Sequence, residues 1–176
     1  MRISTLAVVT GLILASNAVP SLALRPDAAI DPLSAALVTS ATEAQSAGNL
    51  DAAMGFLESA LAVDPRNRSA FVGLAQIARA QGLPGKAIGF YREALLIEPR
   101  DVTALAGQGE AMAEKGALEL AKQQLTEARK FCREQCPQIA SLEGAIAKGE
   151  ARRTVSAEAI IPRPEVTIGD DGSSRN

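Results

Sequence analysis

Histidine is absent from this chain of 176 residues, and so is tryptophan. Losing histidine removes the commonest general base at neutral pH and the commonest metal ligand together. Carboxylates and lysine remain, but no pair of them stands out as acid–base machinery. The sequence therefore offers no catalytic residue, no metal-ligand set and no cofactor motif. Aromatic residues make up only 3% of the chain, against a hydrophobic content of 47%. Apolar burial must then come from alanine, leucine, isoleucine and valine, which suits closely packed helices. Excess positive charge is missing too: the net charge is −2 with the signs interspersed. That leaves no electrostatic case for nucleic acid or an anionic membrane surface.

A long hydrophobic run is also lacking. Residues 1–23 read MRISTLAVVTGLILASNAVPSLA, with Arg2 ahead of thirteen mostly apolar residues, Ile3 to Ala15. A membrane-spanning helix needs about 20. The run is followed by Pro20 and by small residues suited to a peptidase, which is the layout of a cleaved export signal. Ser21-Leu22-Ala23 places the cut after Ala23, with Ser16-Asn17-Ala18 as the second candidate. The expected location is periplasmic or secreted, with no span left once the signal is removed. Residues 24–33 then read as a linker.

What the chain does have is an internal repeat of 34 residues. Units 34–67, 68–101 and 102–135 carry glycine at Gly48, Gly82 and Gly116. Alanine recurs at Ala53, Ala87 and Ala121, and again at Ala60, Ala94 and Ala128. Bulky apolar residues recur as Leu37, Phe71 and Leu105, and as Leu57, Tyr91 and Leu125. Within a unit, an apolar helical stripe such as Phe71, Leu74, Ala75 and Ala78 is broken at glycine. A second stripe follows, Ile88, Tyr91 and Leu95, and Pro99 stops it. One such hairpin cannot bury its apolar face alone, so neighbouring units must stack.

The stretches AMGFLESALAVDP (53–65) and AIGFYREALLIEP (87–99) resemble the closing half of the tetratricopeptide repeat (TPR). The third unit departs from the pattern: Gln108 replaces leucine, Arg129 replaces leucine and Arg133 replaces proline. The resemblance implies an all-α fold, a right-handed α-solenoid of three helix-turn-helix hairpins. Pro137 is suited to a first helical position. Ile139, Leu142 and Ile146 make a stripe for a C-terminal capping helix over 136–152. Residues 153–176 read as a disordered tail. Within the tail, AIIPRPEVTI (159–168) is more apolar, either a weakly ordered stretch or a docking segment.

The resemblance also implies a concave groove lined by the first helix of each unit, holding a partner's peptide or helix. The corresponding positions are Val38, Thr42 and Gln45; Ser69, Val72, Gln76 and Arg79; and Thr103, Ala106, Glu110 and Glu114. Some members of that family clamp a peptide's terminal carboxylate with several Lys and Asn side chains. Only Arg79 could contribute to such a clamp here.

The two cysteines, Cys132 and Cys136, are four residues apart in FCREQCPQI. Zinc would need about four Cys, His or carboxylate ligands. A thioredoxin-like couple has a different spacing and follows a strand. The reading left is a structural disulfide formed in an oxidising compartment, closing the turn where the earlier units use proline. The leading functional expectation is thus a non-enzymatic periplasmic adaptor or scaffold that binds another envelope protein, as in pilus, secretion or envelope assembly. The alternatives are a thiol-redox protein working through Cys132 and Cys136, and a structural protein that self-associates.

Overall fold

The structure is a computed structural model that describes residues 29–160, with side chains through Val155. The export signal, its cleavage sites and residues 161–176 lie outside the described residues. Seven helices follow in order: α1 (Pro32–Ser46), α2 (Leu50–Val63), α3 (Arg68–Ala80), α4 (Pro84–Ile97), α5 (Val102–Glu114), α6 (Leu118–Phe131) and α7 (Pro137–Ile160).

Their starts are written in local chemistry. Asp31, Asn49, Asn67 and Asp101 are N-caps whose side-chain oxygens accept backbone N–H groups of the first turn. Proline opens α1 and α4, where a missing N–H costs nothing. The hairpin turns are copies of one another. Gly48, Gly82 and Gly116 adopt φ of 77°, 72° and 87°, a left-handed conformation that other residues reach only with strain. In each turn the next N–H reaches back to close the helix end: Asn49 to Ala44 at 2.9 Å, Leu83 to Ala78 at 2.8 Å, Ala117 to Met112 at 2.8 Å.

The exits of the second helices also match. Asp64, Glu98 and Cys132 are C-caps in extended conformation, with ψ of 100°, 92° and 113°. Proline follows the first two and disfavours helix at the residue before it. Cys132 takes the same conformation with Arg133 behind it instead.

Alanine sets the packing distance. Ala53, Ala60, Ala87, Ala94, Ala121 and Ala128 are fully buried where helices meet. Longer side chains there would force the backbones apart. The first helices α1, α3, α5 and α7 each touch the next in that row. Among the described residues the second helices α2, α4 and α6 do not touch one another. The first helices therefore form the inside of the curve and the second helices the outside. The result is an all-α solenoid.

Helix α7 covers the open end of the third hairpin, packing on α5 and α6 and burying Leu142 and Ile146. These residues sit 34 beyond Gln108 and Met112, so α7 occupies the place of a further unit's first helix. It continues to Ile160, whereas the sequence reading ended it at Arg152 and began a disordered tail at residue 153. The reason is local. No proline or glycine lies between Arg152 and Ile160 to interrupt it. Among the described residues no helix is long and apolar enough to cross a membrane.

Candidate functional site

Two adjoining hollows run along the inner row of helices. The first, of about 260 Å³, lies between α1, α3 and α5. The second, of about 290 Å³, lies between α3, α5 and the start of α7. They share Gln76 and Thr103, which makes them one groove with a waist.

Ten of the expected groove residues fall into it. Val38, Thr42, Gln45, Ser69, Val72, Gln76 and Thr103 line the first hollow, and Arg79, Ala106 and Glu110 join Gln76 and Thr103 in the second. Glu114 stands just beyond, against Arg79. Their accessibility is unequal. Gln76, Ser69 and Thr42 are exposed, whereas Ala106 is buried against Leu142 and Ile146 of the cap. Ala106 is thus a packing residue at the groove's edge, placed there because α7 closes over α5.

The floor of the first hollow is apolar and closely fitted. Leu57 of α2 reaches under α3, and a Cβ on Gly73 would come within 2.9 Å of its methyl groups. One repeat later Tyr91 of α4 reaches under Gly107 of α5 in the same manner. These glycines let a large side chain of one unit sit directly beneath the first helix of the next. A glycine inside a helical pattern would have been the only sequence signal, and by itself it reads as a weak helix former.

The charged groups of the groove are paired with one another. Arg79 donates through Nε to Glu114 at 3.2 Å and through Nη2 to the same carboxylate at 2.6 Å. Its Nη1 is paired with Glu110, which is only 8% exposed. Burial pulls the Arg79 pKa down, but hydrogen bonding to Glu114 and the charges of Glu110 and Glu114 together hold it above the ordinary arginine range. Tyr91 beneath them has its pKa raised by burial, partly offset by the Arg79 guanidinium. Arg68 is paired with Asp101. That carboxylate is also the N-cap of α5, accepting from Thr103 N–H at 2.8 Å and Ala104 N–H at 3.3 Å.

Polar contacts fasten the first hairpin to the N-caps of α1 and α3 beside the groove. Ser34 Oγ donates to the Ala60 carbonyl at 2.7 Å and accepts from Asn67 Nδ2 at 2.8 Å. Asp64 accepts N–H groups from Arg66 at 3.0 Å and from Asp31 at 3.2 Å. These backbone donors hold its carboxyl below the usual range.

Cys132 and Cys136 line neither hollow; they lie in the turn between α6 and α7, with Cα atoms 6.1 Å apart and sulfurs in contact. A cleft of about 570 Å³ opens beside them. Arg100 stacks over the ring of Phe131 next to this turn, 5.7 Å from its centroid. Among the described residues no three His, Cys, Asp or Glu side chains gather as metal ligands would.

No family sequence model matches the chain, and none of the curated proteins is similar to it in sequence. Solved structures do match. The first TPR domain of human RPAP3 is similar over 70% of this chain and 97% of its own length, with 17% identity and a TM-score of 0.63. The first TPR of Spaghetti (RPAP3) bound to the HSP90 peptide SRMEEVD is similar over 68% of this chain and 96% of its own, at 17% identity and TM-score 0.61. The Sgt2 TPR domain from Aspergillus fumigatus is similar over 84% and 97%, at 17% identity and TM-score 0.66.

Proposed function

From the tetratricopeptide-repeat fold that this chain has, we propose that it is a non-enzymatic protein–protein interaction adaptor, binding a partner's peptide or helix in the groove of α1, α3, α5 and α7. One observation carries the reading. The two hollows join into a groove on the inner row of helices, floored by Val38, Val72 and Leu57 and rimmed by the side-chain amides of Gln45 and Gln76. Amides both donate and accept, so they suit the main chain of an extended segment. A structural neighbour of the same fold is bound to a peptide, which supports the reading by likeness of fold.

The proposed setting is the periplasm. The charge, length and small-residue ending of residues 1–23 support export. Export in turn supplies the oxidising surroundings in which Cys132 and Cys136 would stay joined as a structural disulfide. The proposed partner is then another envelope protein, in pilus, secretion or envelope assembly. Fractionating cells that express the full chain tests the location, and N-terminal sequencing of the exported protein tests cleavage after Ala23. Recovery of the chain uncleaved in the cytoplasm would overturn both the location and the disulfide.

The groove is tested by titrating peptides selected by the full chain against wild type and a Gln76→Trp variant, which fills the waist. Unchanged binding by the variant would refute the groove. A thiol-redox role has one observation in its favour. Cys136 immediately precedes Pro137, the amino end of α7, where the helix dipole favours a thiolate. The reduction potential separates the two roles. A structural bond lies below about −300 mV, and a catalytic one lies higher.

A further inference from the structure

The groove has a preference in charge, and its direction follows from where its ions are spent. Two cations face it, Arg68 and Arg79, and each already holds a carboxylate: Arg68 the α5 N-cap Asp101, and Arg79 both Glu110 and Glu114 of α5. Neither can turn to a ligand without cost. Asp101 has a side chain only 5% exposed and is fixed as the α5 N-cap. Withdrawing Arg68 would leave that charge buried and unpaired. Glu110 is similarly enclosed, its side chain 11% exposed. Within the lining the two cations meet two carboxylates, Asp101 and Glu110, so the groove's own charges cancel. Glu114 closes the Arg79 set from just beyond, where Lys115, Arg152 and Arg153 stand beside it. What the groove has unspent is neutral: the amides of Gln45 and Gln76, the Ser69 hydroxyl, and the apolar floor of Val38 and Val72.

Resting on the groove reading above, we propose that the occupant is an extended peptide segment free of acidic side chains and of a terminal carboxylate. Its main chain meets Gln45 and Gln76, and a small apolar side chain sits on Val38 and Val72. The internal ion pairs act as a filter. An incoming carboxylate meets no unpaired cation in the lining and must displace Glu110 or Asp101 to reach one.

A random-peptide library, displayed so that peptide C-termini are not free, tests this with the full chain, the Gln76→Trp variant and a Glu114→Gln variant. Thermal melts confirm that each variant is folded. Peptides containing Asp or Glu should be depleted about tenfold relative to neutral ones. Gln76→Trp should abolish the selection. Glu114→Gln should return acidic peptides toward parity, because it frees part of Arg79. Selection of acidic peptides that Gln76→Trp abolishes would overturn the proposal and leave the groove standing. Selection that Gln76→Trp does not change, or no selection at all, would overturn the groove reading and this proposal with it.

Discussion

Tyr91 lies with its ring against Gly107, so closely that a Cβ on residue 107 would fall among the ring atoms. Tyr91 is 1% exposed, and it belongs to the second unit while Gly107 belongs to the third. The pair is therefore a junction between repeats. It recurs at Leu57 and Gly73, one period earlier.

Glycine in a helix interior normally costs about 1 kcal/mol relative to alanine. At Gly89 of α4, where a Cβ would meet nothing within 4 Å, alanine should raise stability by up to about 1 kcal/mol. At Gly107 the sign reverses. Gly107→Ala should lower stability by about 1–3 kcal/mol, because overpacking against Tyr91 outweighs the helix gain. Urea unfolding of the two variants reads both values. A Gly107→Ala variant as stable as Gly89→Ala would show that the ring does not sit there.

The capping helix should matter as much as a core helix. Leu142 is fully buried, and its methyl groups would contact a Cβ at Gly109 at 2.9 Å. Leu142→Ala should cost about 2–5 kcal/mol. Hydrogen exchange in α5 and α6 should speed up together with that in α7. Loss of protection in α7 alone would mean that the cap is an appendage rather than part of the fold.

The turn at Cys132 is predicted to need either a covalent bond or a proline. Reducing the pair, or replacing both cysteines by serine, should cost about 2 kcal/mol by loop-closure entropy. Residue 132 is already extended, at φ −74° and ψ 113°, as a residue before proline must be. Adding Arg133→Pro to the double-serine variant should therefore recover about 0.4–1 kcal/mol. Melts of the oxidised, reduced, double-serine and triple variants check this. A further loss in the triple variant would mean that the turn is not equivalent to those at Pro65 and Pro99.

Asp64 predicts an acid-sensitive turn between α2 and α3. Its carboxyl pKa is lowered in the fold, first by the Arg66 and Asp31 N–H groups, relative to about 3.9 for an unfolded chain. Its stabilisation is thus fully present above the unfolded value and fades as pH falls through the folded one. Asp64→Ala should be less stable than wild type at neutral pH, and the two melting temperatures should converge below about pH 4. A difference that stays constant down to low pH would remove the charge from the explanation.

Much of the fold could be read from residues alone, for identifiable reasons. A left-handed turn admits glycine and little else, so Gly48, Gly82 and Gly116 marked the hairpins. Close helix approach admits alanine, so Ala53, Ala87 and Ala121 marked the packing seams. The junction glycines were not legible, because Gly107 has meaning only beside Tyr91, a residue of the preceding unit. The Arg79, Glu110 and Glu114 cluster was legible as three charges in a groove but not as a closed set. That depends on α3 and α5 lying side by side so that residues 31 and 35 apart in sequence meet. Helix α7 runs past the expected end at Arg152 because no proline or glycine interrupts it before Ile160.

The inner face of the solenoid is the proposed contact surface. Calorimetric titration of a library-selected peptide tests this against wild type, Gln76→Trp in the groove, and Leu96→Lys on outer helix α4, where Leu96 is 72% exposed. Saturable binding by wild type and Leu96→Lys is expected, with at least about tenfold weaker binding by Gln76→Trp. Binding that survives Gln76→Trp and is lost in Leu96→Lys would move the contact surface to the outer helices and contradict a binding groove.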